Sequence, residues 1–206
     1  MQVEMLTLGE FQTNTYLVWS QDAPGCMVID PGYDPEAILR AVQHCGRKLE
    51  AIFLTHGHFD HVGAVREIVK QTGCALWMRE ADWSIRKDAM NLWLYPLAGC
   101  DFCEVSFYEE GEEISLAGTR FCILETPGHT WGSVCIGAEK VLFTGDTLFA
   151  GGCGRTDLPG GDWNTIVKSL QRLGELEGDY TVYPGHGPAT TLAAERRDNP
   201  YMKGTL

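Results

Sequence analysis

The segment Thr55-His56-Gly57-His58-Phe59-Asp60-His61 places four metal-ligand side chains within six residues, directly after the apolar run 51–54. A loop leaving a strand end can splay such side chains around ions, and imidazole with carboxylate accepts zinc, iron or manganese alike. The other histidines point the same way. Of the six in the chain, His129 stands in Thr126-Pro127-Gly128-His129-Thr130 and His186 in Tyr183-Pro184-Gly185-His186-Gly187. Each follows a strand-like run. His44 alone lies elsewhere, in a helical stretch where a surface histidine is expected. Asp146 ends another apolar run, Leu142-Phe143-Thr144-Gly145-Asp146. A carboxylate delivered from a buried strand is costly unless its charge meets a cation. Shared between two ions about 3.5–4 Å apart, it would offset their repulsion. Asp30, in Ile29-Asp30-Pro31-Gly32, has two readings: a group that orients a ligand histidine, or a turn residue on the approach to a helix.

Two divalent ions on one water would lower its pKa to near or below the ~7 that a single zinc reaches. Hydroxide would then be present at neutral pH without a separate general base, ready to attack a polarised carbonyl carbon. If the bond attacked is a thioester, a thiol of pKa about 8.5 leaves without needing a proton.

The elements that must position these groups are legible in outline. Residues 3–8, 15–19 and 27–29 read as strands. Asp34 caps a helix with Pro35 in its first turn, Ile38, Leu39 and Val42 on its apolar face and Gly46 as its stop. A short buried strand over 51–54 leads into the motif. Residues 61–71 follow as a helix with Val62, Val65, Ile68 and Val69 on one face, ended by Gly73. Further strands are expected over 113–116, 120–124, 134–137, 141–144 and 180–183, with a helix over 165–176. Strands in runs, with helices between and after them, fit two sheets packed face to face and covered by helices. We expect one α+β domain over residues 1–206. Residues 78–111 hold Trp83, Trp93, Tyr95, Phe102 and Phe107 without a sustained period. They form either a helical insertion or flap beside the site, or ordinary aromatic core packing.

Bulk properties narrow the function classes. The net charge of −12 repels polyanions, so nucleic acid is not an expected partner. No run approaches the roughly 18 apolar residues a membrane span needs, and residues 1–10 do not read as a signal peptide. The expected location is the cytoplasm. Eight cysteines are scattered through apolar runs and read as buried free thiols. Cys100 and Cys103 form a lone C-x-x-C without the second pair a structural zinc site requires, so it is structural or incidental, with redox activity the alternative.

The ordered set His56-x-His58-x-Asp60-His61, His129, Asp146 and His186 resembles the metallo-β-lactamase superfamily. That resemblance implies an αββα sandwich of four layers, with the metals at one edge between the sheets. It also implies a first metal on His56, His58 and His129, a second on Asp60, His61 and His186, and Asp146 as the bridge. Asp60 and Asp146 would thereby serve catalysis. Within the superfamily the chain looks most like short glyoxalase II-like hydrolases, because residues 151–161, Gly-Gly-Cys-Gly-Arg-Thr-Asp-Leu-Pro-Gly-Gly, follow the bridging position. The implied substrate is a hydroxyacylglutathione or another small acyl (thio)ester, with Arg155 as its basic contact. Gly187-Pro188 stands where longer glyoxalase II enzymes carry glutamate and tyrosine, and no counterpart of their helical C-terminal domain is expected. Arg196 and Arg197 either compensate or are terminal-helix surface charges. Alternatives of the same fold are a mononuclear iron persulfide dioxygenase and a lactonase. The expected cofactor is a pair of divalent ions, zinc first, with iron or manganese compatible. The expected state is a monomer or small homo-oligomer.

Overall fold

The computed structural model describes residues 1–84 and 103–203. Its first sheet runs β1 (Gln2–Leu8), β2 (Thr13–Trp19), β3 (Gly25–Ile29), β4 (Lys48–Phe53), β5 (Ala75–Met78), β6 (Val105–Phe107), hydrogen-bonded in that order. The β1–β2–β3 pairs are antiparallel; from β3 to β6 the strands are parallel. Parallel neighbours need crossovers. Helix α1 (Pro35–Cys45) makes the first, and α2 (Phe59–Val62) with α3 (Val65–Thr72) makes the second. Between β5 and β6 lies α4 (Glu80–Ser84).

The second sheet contains β7 (Glu113–Leu116), β8 (Thr119–Glu125), β9 (Val134–Ala138), β10 (Val141–Gly145), β13 (Thr181–Pro184) and β14 (Thr190–Thr191), in the spatial order β14-β13-β10-β9-β8-β7. A ribbon of β11 (Leu148–Phe149) and β12 (Gly152–Cys153) follows β10, and α5 (Trp163–Gly174), α6 (Leu192–Asp198) and α7 (Pro200–Lys203) complete the described chain. No helix among the described residues is long and apolar enough to cross a membrane.

Strand side chains alternate between faces, and here both faces are covered. In β3, Met27 and Ile29 point between the sheets, where they join Tyr16, Phe53, Phe121 and Phe143. Cys26 and Val28 point the other way, onto Ile38, Val42, Val65 and Ile68 of α1 and α3. The second sheet repeats this arrangement, with Cys135, Leu142 and Val182 packed on Leu170, Leu173 and Leu192. That is the expected four-layer αββα sandwich. It explains why the central strands read as continuous apolar runs rather than alternating ones.

The cap residues of α1 act as expected: Asp34 accepts the Ala37 N–H at 2.9 Å, and Gly46 closes the helix at φ 69°. The helix expected over 61–71 is instead two. Ala64 donates its N–H to the Pro31 carbonyl at 3.0 Å, and a Cβ on Gly63 would stand 2.4 Å from the Gly32 carbonyl oxygen. The Pro31-Gly32 loop therefore takes a donor from the helical ladder, which restarts at Val65. Within 78–111 the structure adds elements that were not expected. Met78 ends β5, Val105–Phe107 extends the first sheet, and Trp83 packs against the helix-side core. Such three- and four-residue strands are too short to show a period. Trp93, Tyr95, Cys100 and Phe102 lie outside the described residues. Cys26, Cys74 and Cys135 are buried free thiols, as expected.

Candidate metal centre

The ligand-type side chains converge because their strands end at one edge of the sandwich. β4 runs into Thr55–His61, the turn after β8 carries His129, β10 delivers Asp146, and β13 delivers His186. Two glycines make the convergence possible. Gly145 turns the chain at φ 47°, and a Cβ there would meet Thr55 Oγ1 at 2.3 Å. A Cβ on Gly185 would lie 2.2 Å from Asp146 Oδ1.

Two triads result. His56, His58 and His129 are buried together, with His58 Nδ1 2.8 Å from His129 Nε2. Asp60, His61 and His186 form the second, with His186 Nε2 3.2 Å from Asp60 Oδ2 and 3.4 Å from His61 Nε2. In each group the potential donor atoms all lie within 4.8 Å of one another. Asp146 stands between the groups. Its Oδ2 is 3.5 Å from His129 Nε2 and 3.6 Å from His186 Nε2, while its Oδ1 is 3.3 Å from His61 Nε2.

The outward nitrogens fix what the inward ones can do. His129 Nδ1 lies 2.7 Å from the Arg155 carbonyl, and His186 Nδ1 lies 3.1 Å from the Phe11 carbonyl. A carbonyl only accepts, so each Nδ1 carries the proton and each Nε2 turns a lone pair inward when the ring is neutral. His61 Nδ1 likewise faces Asp30 Oδ2 at 2.9 Å. Thr55 donates its hydroxyl to the same Asp30 oxygen at 2.6 Å, leaving its own oxygen to accept from His56 Nδ1 at 3.1 Å. The inward His56 Nε2 is buried and makes no hydrogen bond among the described residues. A buried ring nitrogen without a partner is what a cation would satisfy, so this donor set fits metal ions.

Asp30 is both of the things its sequence context allowed. It sits at φ 50° in the turn before α1, and it orients His61. A third cluster, Asp30 with His56 and His61, is close enough for an ion. Its carboxylate is already committed, however, because Oδ1 also accepts the Thr55 N–H at 2.8 Å. Three supporting residues were not among the candidate site residues. Thr13 donates to Asp60 Oδ2 at 3.2 Å, Asn14 binds the backbone on both sides of His186, and Asp82 joins two of the ligand loops. The surface position expected of His44 is found.

Charge follows position. Burial, reinforced by neighbouring imidazoles, pushes His56 well below the usual histidine range and His58 down to about 3, so both rings are neutral. Burial also opposes charge on His61, but Asp146 and Asp30 outweigh it and hold the imidazolium well above its ordinary range. Burial opposes charge on Asp146, but His61 outweighs it and holds the carboxyl far below the carboxylate range. Burial likewise opposes charge on Asp60 and His186, and their mutual contact shifts each toward its ionised form.

The centre opens into a cleft of about 380 Å³ whose walls include Phe11, Phe59, Phe149, Leu158 and Arg155. The Arg155 guanidinium forks onto Asp157 with two 2.7 Å contacts at the exposed rim. Arg196 is tied to the carbonyls of Gly174, Leu176 and Gly178, and Arg197 pairs with Asp198. Both lie on α6 and are thus engaged there, Arg196 half-buried against backbone carbonyls and Arg197 as a surface charge.

Comparisons with known proteins agree with this geometry. The family model described as the metallo-beta-lactamase superfamily matches residues 8–186. The chain is 37% identical to hydroxyacylglutathione hydrolase GloC of Haemophilus influenzae, over 98% of each protein. The crystal structure of TTHA1623 in a di-iron-bound form superposes with a TM-score of 0.84 at 39% identity, covering 97% of this chain and 100% of that one. ETHE1 from Myxococcus xanthus gives 0.83 at 29% identity, covering 99% and 85%. With its ligand-type residues gathered at one edge of an αββα sandwich, the chain belongs to the metallo-β-lactamase superfamily.

Proposed function

We propose that this metallo-hydrolase is dinuclear and cleaves small acyl thioesters of the hydroxyacylglutathione type. The observation that carries the reading is the pair of triads joined by Asp146, with outward hydrogen bonds turning imidazole lone pairs inward. His56, His58 and His129 would hold one ion, Asp60, His61 and His186 the other, and Asp146 would bridge them. Two divalent ions held there, zinc first among the compatible metals, would supply Lewis acidity, lowering the pKa of water and polarising an acyl carbonyl.

The chain's own residues do the rest. Asp60 Oδ2 is fixed by Thr13 and His186, and this carboxylate lies at the cleft, where it can orient the attacking water. Phe11, Phe59, Phe149 and Leu158 exclude solvent from an acyl group seated beside the histidines. Arg155 can take a substrate carboxylate in exchange for Asp157, since an exposed ion pair is weak. A thioester asks least of this site, because the leaving thiolate departs without a proton from the protein. The similarity to GloC supports glutathione as the thiol half of the substrate.

A second reading has one feature in its favour. Asp60, His61 and His186 alone make the two-histidine, one-carboxylate set of mononuclear iron oxygenases. Anaerobic purification with metal analysis, followed by assay on lactoylglutathione and on a non-glutathione acyl thioester, tests both. The expected result is two ions per chain and hydrolysis of lactoylglutathione. One iron with oxygen consumption overturns the hydrolase reading, and turnover of the second thioester alone removes glutathione from it.

A further inference from the structure

One carboxylate outside the ligand set reaches both loops that carry the three-histidine triad. Asp82, on α4, is fully buried. Its Oδ2 accepts the Gly57 N–H at 2.9 Å and the Thr130 hydroxyl at 2.8 Å, and its Oδ1 accepts the Gly132 N–H at 2.8 Å. Gly57 is the link between His56 and His58, and Thr130 directly follows His129. The Thr130 end is itself braced: Ser133 Oγ accepts the Thr130 N–H at 3.0 Å and stands 2.8 Å from its hydroxyl. The approach is as close as the chain allows, since a Cβ on Gly132 would lie 2.7 Å from Asp82 Cγ and Oδ1. Both backbone partners are obligate donors, which a carboxylate can satisfy without offering a donor of its own.

The other triad has its own brace. Asn14 Nδ2 donates to the carbonyls of Pro184 at 3.0 Å and Gly187 at 2.8 Å, on either side of His186. Thr13 Oγ1 donates to Asp60 Oδ2 at 3.2 Å. Apart from the Asp30–Thr55 link between His61 and His56, these braces on the two ligand sets are separate. We infer that Asp82 is a positioning residue that sets the spacing between the His56–His58 turn and His129, and so governs metal affinity at the three-histidine set without governing the other. This rests on the dinuclear reading given above.

The test is stepwise metal uptake by the metal-free full chain, titrated with Zn²⁺ against a chromogenic chelator. Asp82→Asn is nearly isosteric, but its amide must face a backbone N–H whichever way it turns. It should weaken one uptake step roughly ten- to a hundredfold and leave the other at wild-type affinity. The weakened step should be the one that His56→Ala abolishes and His186→Ala spares. Both steps unchanged, both weakened alike, or loss at the step His186→Ala abolishes would each overturn the inference. Should Asp82→Asn fail to fold, Thr130→Val removes the hydroxyl's contacts with Asp82 and Ser133 while both backbone N–H contacts of Asp82 remain, and a severalfold loss confined to the same step is required. A wild-type chain that takes up fewer than two ions overturns the dinuclear reading itself, a result visible before any variant is made.

Discussion

Asp30→Asn isolates the link between tautomer and metal affinity. The substitution preserves size and shape but turns one acceptor oxygen into a donor. In the wild type, Oδ1 accepts the Thr55 N–H, while Oδ2 accepts both the Thr55 hydroxyl and His61 Nδ1–H. If the amide oxygen stays with the Thr55 N–H, the amide nitrogen faces His61. The ring must then move its proton from Nδ1 to Nε2, which points that proton at the second triad, or else set two donors against each other. Either way a hydrogen bond to a charged group is lost, about 1.5–3 kcal/mol. At about 1.4 kcal/mol per tenfold, binding at the Asp60, His61, His186 set should weaken roughly ten- to a hundredfold. If the amide turns around, the donor clash moves to the Thr55 N–H, and a similar loss appears as lower stability of the strand end. Chelator competition on the metal-free protein reads the first outcome, and denaturant unfolding of the same sample reads the second. An Asp30→Asn variant with wild-type affinity in both steps and unchanged unfolding would refute the argument, because the carboxylate would then set neither the His61 tautomer nor the turn.

Two further expectations follow from the electrostatics and the rim. His61 and His186 hold protons above the ordinary histidine range of about 6.5 in the metal-free chain, so ligation must release protons, and metal affinity should rise with pH across and above neutrality. Calorimetric titration in buffers of different ionisation enthalpy measures the release; an uptake heat independent of buffer would contradict it. Arg155→Ala should raise KM for lactoylglutathione roughly tenfold with little change in kcat, since the carbonyl that orients His129 belongs to the backbone and is retained. Steady-state kinetics in which kcat falls as far as kcat/KM would instead tie the side chain to the transition state.

The ligand-type residues that converge and the sandwich were legible because each leaves a local mark. His56 to His61 lie within one turn of chain, and His129, Asp146 and His186 each follow an apolar run with a glycine beside them. The Gly145 and Gly185 marks have a steric cause, the crowding of Thr55 and Asp146 against their backbones. Asp34 and Gly46 gave the ends of α1 for similarly local reasons. The break at Gly63 and Ala64 was not legible, because the competing acceptor is the Pro31 carbonyl, which is distant in sequence.

The same distinction explains what stayed hidden at the site. His129 and His186 owe their tautomers to the carbonyls of Arg155 and Phe11, and a carbonyl is present whatever residue occupies the position. The sequence singles out Arg155 through its side chain, yet the atom that touches a ligand-type histidine is one that Arg155 shares with every other residue. Asp82 differs in that its side chain does matter, but its three donors come from Gly57, Thr130 and Gly132, and no local spacing relates it to them. Ligand identity is therefore written in local motifs, whereas ligand orientation depends on long-range contacts to backbone groups. A chain could keep every histidine and both aspartates of the centre and still lose its metals through a change at position 30 or 82. For that reason the variants that best test this centre lie outside the ligand set.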